Sequence, residues 1–207
     1  LERQYVLNLL ARPVQPDPRE YFRAVDAAPR YEAHERQIRV RDQITWARMN
    51  QNRMPDYLAA DLDSGFVFAE KDSQNAFPIA SLTKLMTAVV VSENIDLRKS
   101  ILVREEMLSD GYGHTQGLDT GQRFRIVELF YPLLIESSND AAEVLSRYLG
   151  RARTIKLMNE KAGAILMENT NFADPSGYDP KNTSSARGLF YLARYILNNR
   201  PPLFQIS

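Results

Sequence analysis

The sequence predicts an α+β fold, with an antiparallel hairpin early in the chain and a cluster of helices after it. Two short runs of aromatic and aliphatic residues flank a turn signal at residues 63–65, which is typical of a hairpin. A helix that is apolar on nearly every side begins near residue 80, and most of the chain from residue 125 onward has helical periodicity. Strands grouped before helices favour an α+β arrangement over an alternating one.

The predicted hairpin consists of residues 57–61 and 66–69, joined by the turn Asp63-Ser64-Gly65. A short loop that ends at Pro78 leads into the apolar helix, which is expected to lie at the centre of the domain. Four further helices are predicted, and their approximate ranges are 125–136, 140–149, 153–167 and 185–198. Gly150 is expected to end the second of these, and Pro201 and Pro202 the last.

The first fifty residues differ in composition from the rest of the chain. They contain nine arginines and no lysine, and prolines at positions 13, 16, 18 and 29 interrupt them. Within them, residues 33–50 are compatible with either a helix or a strand. We therefore expect an N-terminal extension over residues 1–52 and a domain over residues 53–207. The extension is interpreted as a spacer, and because the chain opens on Leu1, a membrane tether is expected outside it.

Composition excludes several classes of function. Basic and acidic residues number 26 each, so the net charge gives no reason to expect a nucleic-acid partner. The absence of cysteine excludes disulfides, thiolate metal ligands and a cysteine nucleophile. With only two histidines, His34 and His114, in unrelated contexts, neither a metal site nor a cofactor is expected. No apolar run has the length that a membrane-spanning helix needs.

Ser81 and Lys84 are the first candidate catalytic pair. Residues three apart lie on one face of a helix, and a serine hydroxyl becomes a good nucleophile only when a base takes its proton. A lysine can be that base when burial keeps it neutral, and this helix is apolar enough to bury it. The alternative is that Ser81 caps the helix and that Lys84 extends along the surface to reach solvent.

Ser137 and Asn139 are the second candidate pair, because they lie at a break between two predicted helices, where side chains can face a cleft. The alternative is that Ser137, Ser138 and Asn139 only cap the helix that follows. A Ser-His-Asp triad that uses His114 is poorly supported, because Ser81 lacks the glycines of a nucleophile elbow.

Taken together, these segments resemble the serine D-alanyl-D-alanine carboxypeptidases, the low-molecular-mass penicillin-binding proteins of peptidase family S11. The resemblance rests on ordered blocks, which include residues 78–88 (Pro-Ile-Ala-Ser-Leu-Thr-Lys-Leu-Met-Thr-Ala), 117–121, 133–142 (Leu-Leu-Ile-Glu-Ser-Ser-Asn-Asp-Ala-Ala), 158–162, 169–172 and 175–178 (Pro-Ser-Gly-Tyr). It implies a β-lactamase/transpeptidase-like fold, in which a cluster of helices packs on an antiparallel sheet.

The resemblance also implies the activity and the roles of the site residues. Ser81 would be the acylated nucleophile and Lys84 its base, Ser137 would pass protons to the leaving amine, and Asn139 would bind the substrate amide. The enzyme would remove the terminal D-alanine from peptidoglycan pentapeptides outside the cytoplasmic membrane. β-Lactam antibiotics would acylate it as covalent inhibitors.

One family motif is absent from the sequence. The resemblance implies a Lys-Thr-Gly or Lys-Ser-Gly triplet on a strand, and the 207 residues contain neither. We therefore expect that C-terminal strands of the domain are missing from this chain: either the chain was cut before them, or they come from another segment or chain. Two alternatives stay open: a catalytically inactive module of the same fold that binds cell-wall peptide or a partner, and a serine β-lactamase or esterase.

Overall fold

The computed structural model describes residues 56–108 and 118–206 of the chain. The predicted extension over residues 1–52 and both histidines lie outside these ranges. In chain order the elements are β1 (Tyr57–Ala60), β2 (Val67–Lys71), β3 (Phe77–Pro78), α1 (Thr83–Asn94), β4 (Ser100–Leu102), β5 (Arg123–Arg125), α2 (Phe130–Leu134), α3 (Asn139–Leu149), α4 (Arg151–Ala164), β6 (Thr183–Ser184), α5 (Ala186–Asn199) and α6 (Pro202–Ile206).

The predicted hairpin is confirmed. Strands β1 and β2 pair antiparallel, and the register shifts once, between Ala59 and Ala60. At the turn, one carboxylate oxygen of Asp61 accepts hydrogen bonds from the Ser64 backbone N–H (2.7 Å) and from the Ser64 hydroxyl (2.9 Å). Gly65 has φ of +75°, a conformation that glycine adopts without steric cost. Strand β1 of the hairpin packs against helix α5.

Helix α1 lies at the centre of the helical cluster, as its apolar sequence predicts. It packs against α2, α3 and α4. Nine of its twelve residues are buried, and Met86, Ala88, Val89 and Val91 have no exposed surface. Burying side chains on nearly every face of one helix supplies a large part of the hydrophobic stabilisation, at about 25 cal/mol for each Å² of apolar surface removed from water.

The helices predicted around α3, α4 and α5 are confirmed, and their caps explain their boundaries. Ser138 caps α3 by accepting a hydrogen bond from Ala141 N (3.1 Å), and Ser185 caps α5 in the same way, from Gly188 N (3.0 Å). Gly150, with φ of +100°, separates α3 from α4. Helix α4 ends at Ala164 rather than continuing to residue 167, because Leu166 takes a left-handed conformation with φ of +63°.

The helix predicted over residues 125–136 is wrong in its first half. Arg125 ends strand β5, a 3-10 turn covers Ile126–Leu129, and only α2 is α-helical. Arg125 pairs with Ser100 of β4, so it belongs to a strand. The backbone N–H groups of Ile126 and Val127, which would have no acceptor within a helix that begins there, donate to the carbonyls of Lys99 (2.9 Å) and Leu97 (3.1 Å). Strand pairing thus delays the start of the helical segment.

Two short strand pairs were not predicted. Strand β3 pairs antiparallel with β6, and β4 pairs antiparallel with β5. After α5, Pro202 does not only end a helix, as predicted; it opens the short helix α6, because proline is well suited to a first helical position. None of the helices in the described residues has the length and apolar character that crossing a membrane requires.

Candidate active site

Ser81 lies in a 3-10 turn, Ala80–Leu82, that leads directly into helix α1. Its side chain is exposed, and its Oγ lies 3.1 Å from the Nζ of Lys84, within hydrogen-bond distance. The preceding residue, Ala80, has φ of +45°, which is uncommon for a residue with a side chain. The turn therefore presents Ser81 to solvent at the point where the buried helix begins.

Lys84 is buried, with only 2% of its surface exposed. Besides Ser81, its Nζ donates a hydrogen bond to the backbone carbonyl of Ser176 at 2.8 Å. Burial lowers the pKa of Lys84 to about 8, and the carboxylate of Asp174 acts in the opposite direction. A lysine with this pKa is partly neutral near neutral pH and can accept a proton, which an ordinary surface lysine cannot.

The geometry does not fit the alternative in which Ser81 only caps α1 and Lys84 reaches solvent. The cap position of α1 is Leu82, and no side chain caps the helix there. The Lys84 ammonium group is held by two hydrogen bonds in the interior rather than at the surface. Leu82 is exposed, because it belongs to the turn and not to the buried helix.

A cavity of about 460 Å³ brings Ser81, Lys84 and Ser137 together. The rest of its lining is mostly apolar, from the segment before α1, from α1 itself and from α2: Ile79, Ala80, Leu82, Leu85, Leu133 and Leu134. A concave, largely apolar site with a few polar groups is the usual form of a small-ligand site. The cavity thus gives the Ser81 hydroxyl room for a substrate.

Ser137 and Ser138 have different structural roles although they are neighbours. Ser138 is the residue that caps α3, so capping does not account for Ser137. Ser137 has φ of +56°, an uncommon backbone conformation outside glycine, and it lines the cavity. Asn139 is half-buried and is the first residue of α3, two positions beyond Ser137.

The sequence did not predict two residues that act on Lys84: Ser176, whose carbonyl accepts its hydrogen bond, and Asp174, whose charge affects its pKa. Asp174 and Ser176 belong to a loop between α4 and β6, and both are buried. The run Asp174-Pro175-Ser176-Gly177 is a strong turn signal in the sequence, so the turn could have been predicted. Its contact with Lys84 could not, because 92 positions separate Lys84 from Ser176.

The family model for D-alanyl-D-alanine carboxypeptidases, peptidase family S11, matches residues 43–207. Among curated relatives, a D-alanyl-D-alanine endopeptidase from Haemophilus influenzae is 38% identical over 148 residues, which are 69% of this chain and 50% of the relative. The chain spans about half the length of the curated relatives it matches.

Solved structures give the same picture of the fold. A D-alanyl-D-alanine carboxypeptidase from Mycobacterium tuberculosis has a TM-score of 0.69 and 31% identity, over 74% of this chain and 59% of the other. Penicillin-binding protein D2 from Listeria monocytogenes, in a cefotaxime-bound form, has a TM-score of 0.61 and 29% identity, over 74% of this chain and 65% of the other. These similarities confirm the penicillin-binding, transpeptidase-like fold that the sequence resemblance implies.

Proposed function

The chain belongs to the D-alanyl-D-alanine carboxypeptidase family, peptidase family S11, and we propose that it supplies the nucleophile and base of a serine D,D-carboxypeptidase that acts on peptidoglycan stem peptides. The observation that carries this proposal is the pairing of an exposed serine hydroxyl with a buried, weakly basic lysine at 3.1 Å. Family membership supplies the reaction class, and the pair supplies the chemistry that such a reaction needs.

The proposed reaction begins when the neutral amine of Lys84 takes the proton of the Ser81 hydroxyl. The oxygen of Ser81 then attacks the carbonyl carbon of the penultimate D-alanine, and the backbone N–H of Ser81 stabilises the negative charge on the carbonyl oxygen. The proton passes to the leaving amine through Ser137, and the terminal D-alanine departs. Water then hydrolyses the ester on Ser81, and Lys84 is again available as the base.

Ser137 lines the cavity and Asn139 is not among its lining residues, and both are assigned to contact the peptide. Ser137 is suited to proton transfer because it lines the same cavity as Ser81 and Lys84, and Ser138 already caps α3. Asn139 follows at the helix start, where its amide can bind the substrate backbone. The substrate is a cell-wall peptide, so the proposed site of action is extracytoplasmic. β-Lactams, one of which occupies a solved relative, are the expected covalent inhibitors.

Labelling with a fluorescent penicillin tests this proposal directly. The full-length protein is expected to be labelled covalently and to release D-alanine from a pentapeptide, and Ser81→Ala is expected to lose both activities. Ser100→Ala, which removes another exposed hydroxyl from strand β4, is the matched control and should behave as the wild type. Equal labelling of wild type and Ser81→Ala would refute the assignment of the nucleophile.

A second candidate activity is cleavage of cross-linked stem peptides, as an endopeptidase. It is favoured by the 38% identity to a relative that carries the name D-alanyl-D-alanine endopeptidase. Mass spectrometry of muropeptides separates the two activities, because a carboxypeptidase shortens monomeric pentapeptides whereas an endopeptidase converts cross-linked dimers to monomers. The inactive-module and β-lactamase alternatives have no comparable support, since the curated relatives are named carboxypeptidases and endopeptidases.

A further inference from the structure

The loop between α4 and β6 is organised around one buried carboxylate, that of Asp174. Its Oδ1 accepts hydrogen bonds from Ser176 N (2.6 Å), Ser176 Oγ (2.7 Å) and Gly177 N (2.8 Å). Its Oδ2 accepts from Asp179 N (2.6 Å) and from the side-chain amide of Asn182 (2.6 Å). Five donors converge on one side chain, so the conformation of the loop depends on this carboxylate.

The same loop presents two successive backbone carbonyls to one face of helix α1. The carbonyl of Pro175 accepts from the Thr87 hydroxyl at 2.7 Å, and the carbonyl of Ser176 accepts from Lys84 Nζ at 2.8 Å. Lys84 and Thr87 are three residues apart and therefore lie on the same face of the helix. The loop thus binds the side of α1 from which the candidate base projects.

The next residue of the loop, Gly177, lies against the turn that carries Ser81. It has φ of +86°, and a Cβ built on it would lie 1.8 Å from the carbonyl oxygen of Ala80. Only glycine permits so close an approach. Residues 174–177, which we call the Asp174 turn, therefore contact Lys84 on one side and the residue before Ser81 on the other.

We propose that Asp174 is a positioning residue for the reaction, which acts on Ser81 only through Lys84 and the backbone of the Asp174 turn. This inference rests on the proposed function and assigns a role to residues outside the Ser81, Lys84, Ser137 and Asn139 set. When Lys84 is neutral, the Ser176 carbonyl holds one of its N–H groups. The lone pair of the amine is then directed toward the Ser81 hydroxyl, from which it takes the proton.

Asp174 also contributes a charge to the site. Although burial acts to raise its pKa, hydrogen bonds from Asp179, Ser176 and Gly177 hold the pKa below its usual value, so the group is ionised. Its negative charge raises the pKa of Lys84 against the larger, opposite effect of burial.

The helices packed on α1 carry further charged groups. Glu143 of α3 pairs with Arg147 and Arg151, and Asp140 is buried at the start of the same helix. Lys161 of α4 pairs with Glu93 of α1.

The first test replaces Asp174 with asparagine in the full-length protein. The amide removes the charge and turns an NH₂ group toward backbone donors, so the pKa of Lys84 should fall below the wild-type value and the turn should loosen. Acylation by penicillin is expected to slow by about tenfold to a hundredfold, with its pH profile shifted to lower pH. Asp179→Asn is the matched control. Within the described residues the Asp179 carboxylate accepts a hydrogen bond only from Lys181 N, and the amide oxygen of asparagine can accept the same bond.

The pKa of Lys84 is read by NMR of protein labelled with ¹³C-lysine, and the Lys84 signal is assigned by its loss in Lys84→Arg. A purely structural role would lower the stability of Asp174→Asn without moving this pKa or the pH profile. An unchanged pKa of Lys84 in Asp174→Asn, or an equal shift in Asp179→Asn, would overturn the proposal.

A measurement on the wild type does not depend on the folding of any variant. The ¹³C signals of the Asp174 carboxylate and the Ser176 carbonyl should each show an inflection near pH 8, where Lys84 titrates, and the Asp179 carboxylate should show none. No inflection at Asp174 and Ser176 would refute the coupling. Because neither NMR readout requires acylation, the two failures are distinguishable: a protein that shows the coupling but is not labelled by penicillin would refute the proposed function and leave only the coupling between Asp174 and Lys84, whereas a labelled protein without the coupling would refute the positioning role alone.

Discussion

A lysine lies near each end of helix α1, buried at the start and partly buried near the end, and the two lysines have different partners. At the start of α1, Lys84 contacts a serine hydroxyl and a backbone carbonyl. Near its end, Lys161 of helix α4 forms an ion pair with Glu93 at 2.6 Å and lies over the ring of Tyr195, whose hydroxyl also donates to Glu93. Arg200 adds a second positive charge 3.9 Å from the same carboxylate.

The partners of the two lysines differ in a way that distinguishes a structural charge from a reactive one. At the Glu93 end, each charge has a partner of opposite sign, and the network joins α1, α4 and α5. Burial and the Glu93 carboxylate raise the pKa of Tyr195, so this tyrosine stays neutral. At the Ser81 end, none of the ion pairs within the described residues includes Lys84, and burial lowers its pKa. An unpaired buried lysine loses its proton readily, which suits a base.

The largest expected effect comes from removing the unpaired lysine. Lys84→Met keeps the length and apolar stem of the side chain but removes the amine that accepts the proton of Ser81. Acylation by penicillin is expected to slow by about 10²–10⁴-fold, the usual contribution of a general base, while the protein stays folded. Stopped-flow measurement of acylation checks this, with the exposed lysine variant Lys156→Met as control. A rate within threefold of wild type would mean that Lys84 is not the base.

Replacing the ion-paired lysine, Lys161, with methionine should lower stability and leave the acylation rate nearly unchanged. Lys161→Met leaves the Glu93 carboxylate buried beside Tyr195 without its closest cation, and breaking a buried ion pair typically costs about 3–5 kcal/mol. Urea denaturation should show this loss of stability, and the acylation rate per folded molecule should stay within twofold of wild type. If Lys161→Met instead slowed acylation without loss of stability, the distinction between the two ends of α1 would fail.

The sequence predicted the residues that lie close together along the chain. Ser81 and Lys84 are three positions apart, so helical geometry alone places them on one face, and the apolar residues around them predict that Lys84 is buried. The longer helices were predicted for the same reason, because their periodicity and caps are local signals. Ser137 was predicted as a site residue because it lies at a helix break. Only the structure shows that Ser138, and not Ser137, caps the helix that follows.

What the sequence could not predict depends on contacts between distant segments. The Asp174 turn contacts α1 across about 90 positions, and no local pattern indicates that contact. Strands of two or three residues, such as β3 and β4, carry too little alternation to be recognised. The helix predicted over residues 125–136 was wrong at its start because Arg125 pairs with Ser100, in a strand pair that joins β4 and β5.

The pH dependence of stability should distinguish the two lysines further. The pKa of Lys84 is about 8 in the folded protein and 10.5 in a free side chain, so the unfolded chain binds more protons between these values. Stability therefore rises as pH increases from 8 to 10.5, by up to about 3 kcal/mol, and this gain is lost as pH falls from 10.5 to 8. Lys84→Met should lack this rise. The difference between wild-type and variant urea curves isolates it from other titrating groups, and equal slopes would contradict the lowered pKa.

The smallest effect is expected for the two neighbouring serines, of which Ser138 caps α3 and Ser137 lines the cavity. Ser138→Ala removes the hydroxyl that accepts from Ala141 N and should lower the free energy of unfolding by about 1 kcal/mol, with normal acylation per folded molecule. Ser137→Ala removes no cap and should change stability by less than about 0.5 kcal/mol, yet it should slow turnover of the peptide substrate. Thermal unfolding and D-alanine release, measured on both variants, separate the two roles. If Ser138→Ala affected turnover more than Ser137→Ala, the proton-transfer role would have to move from Ser137 to its neighbour.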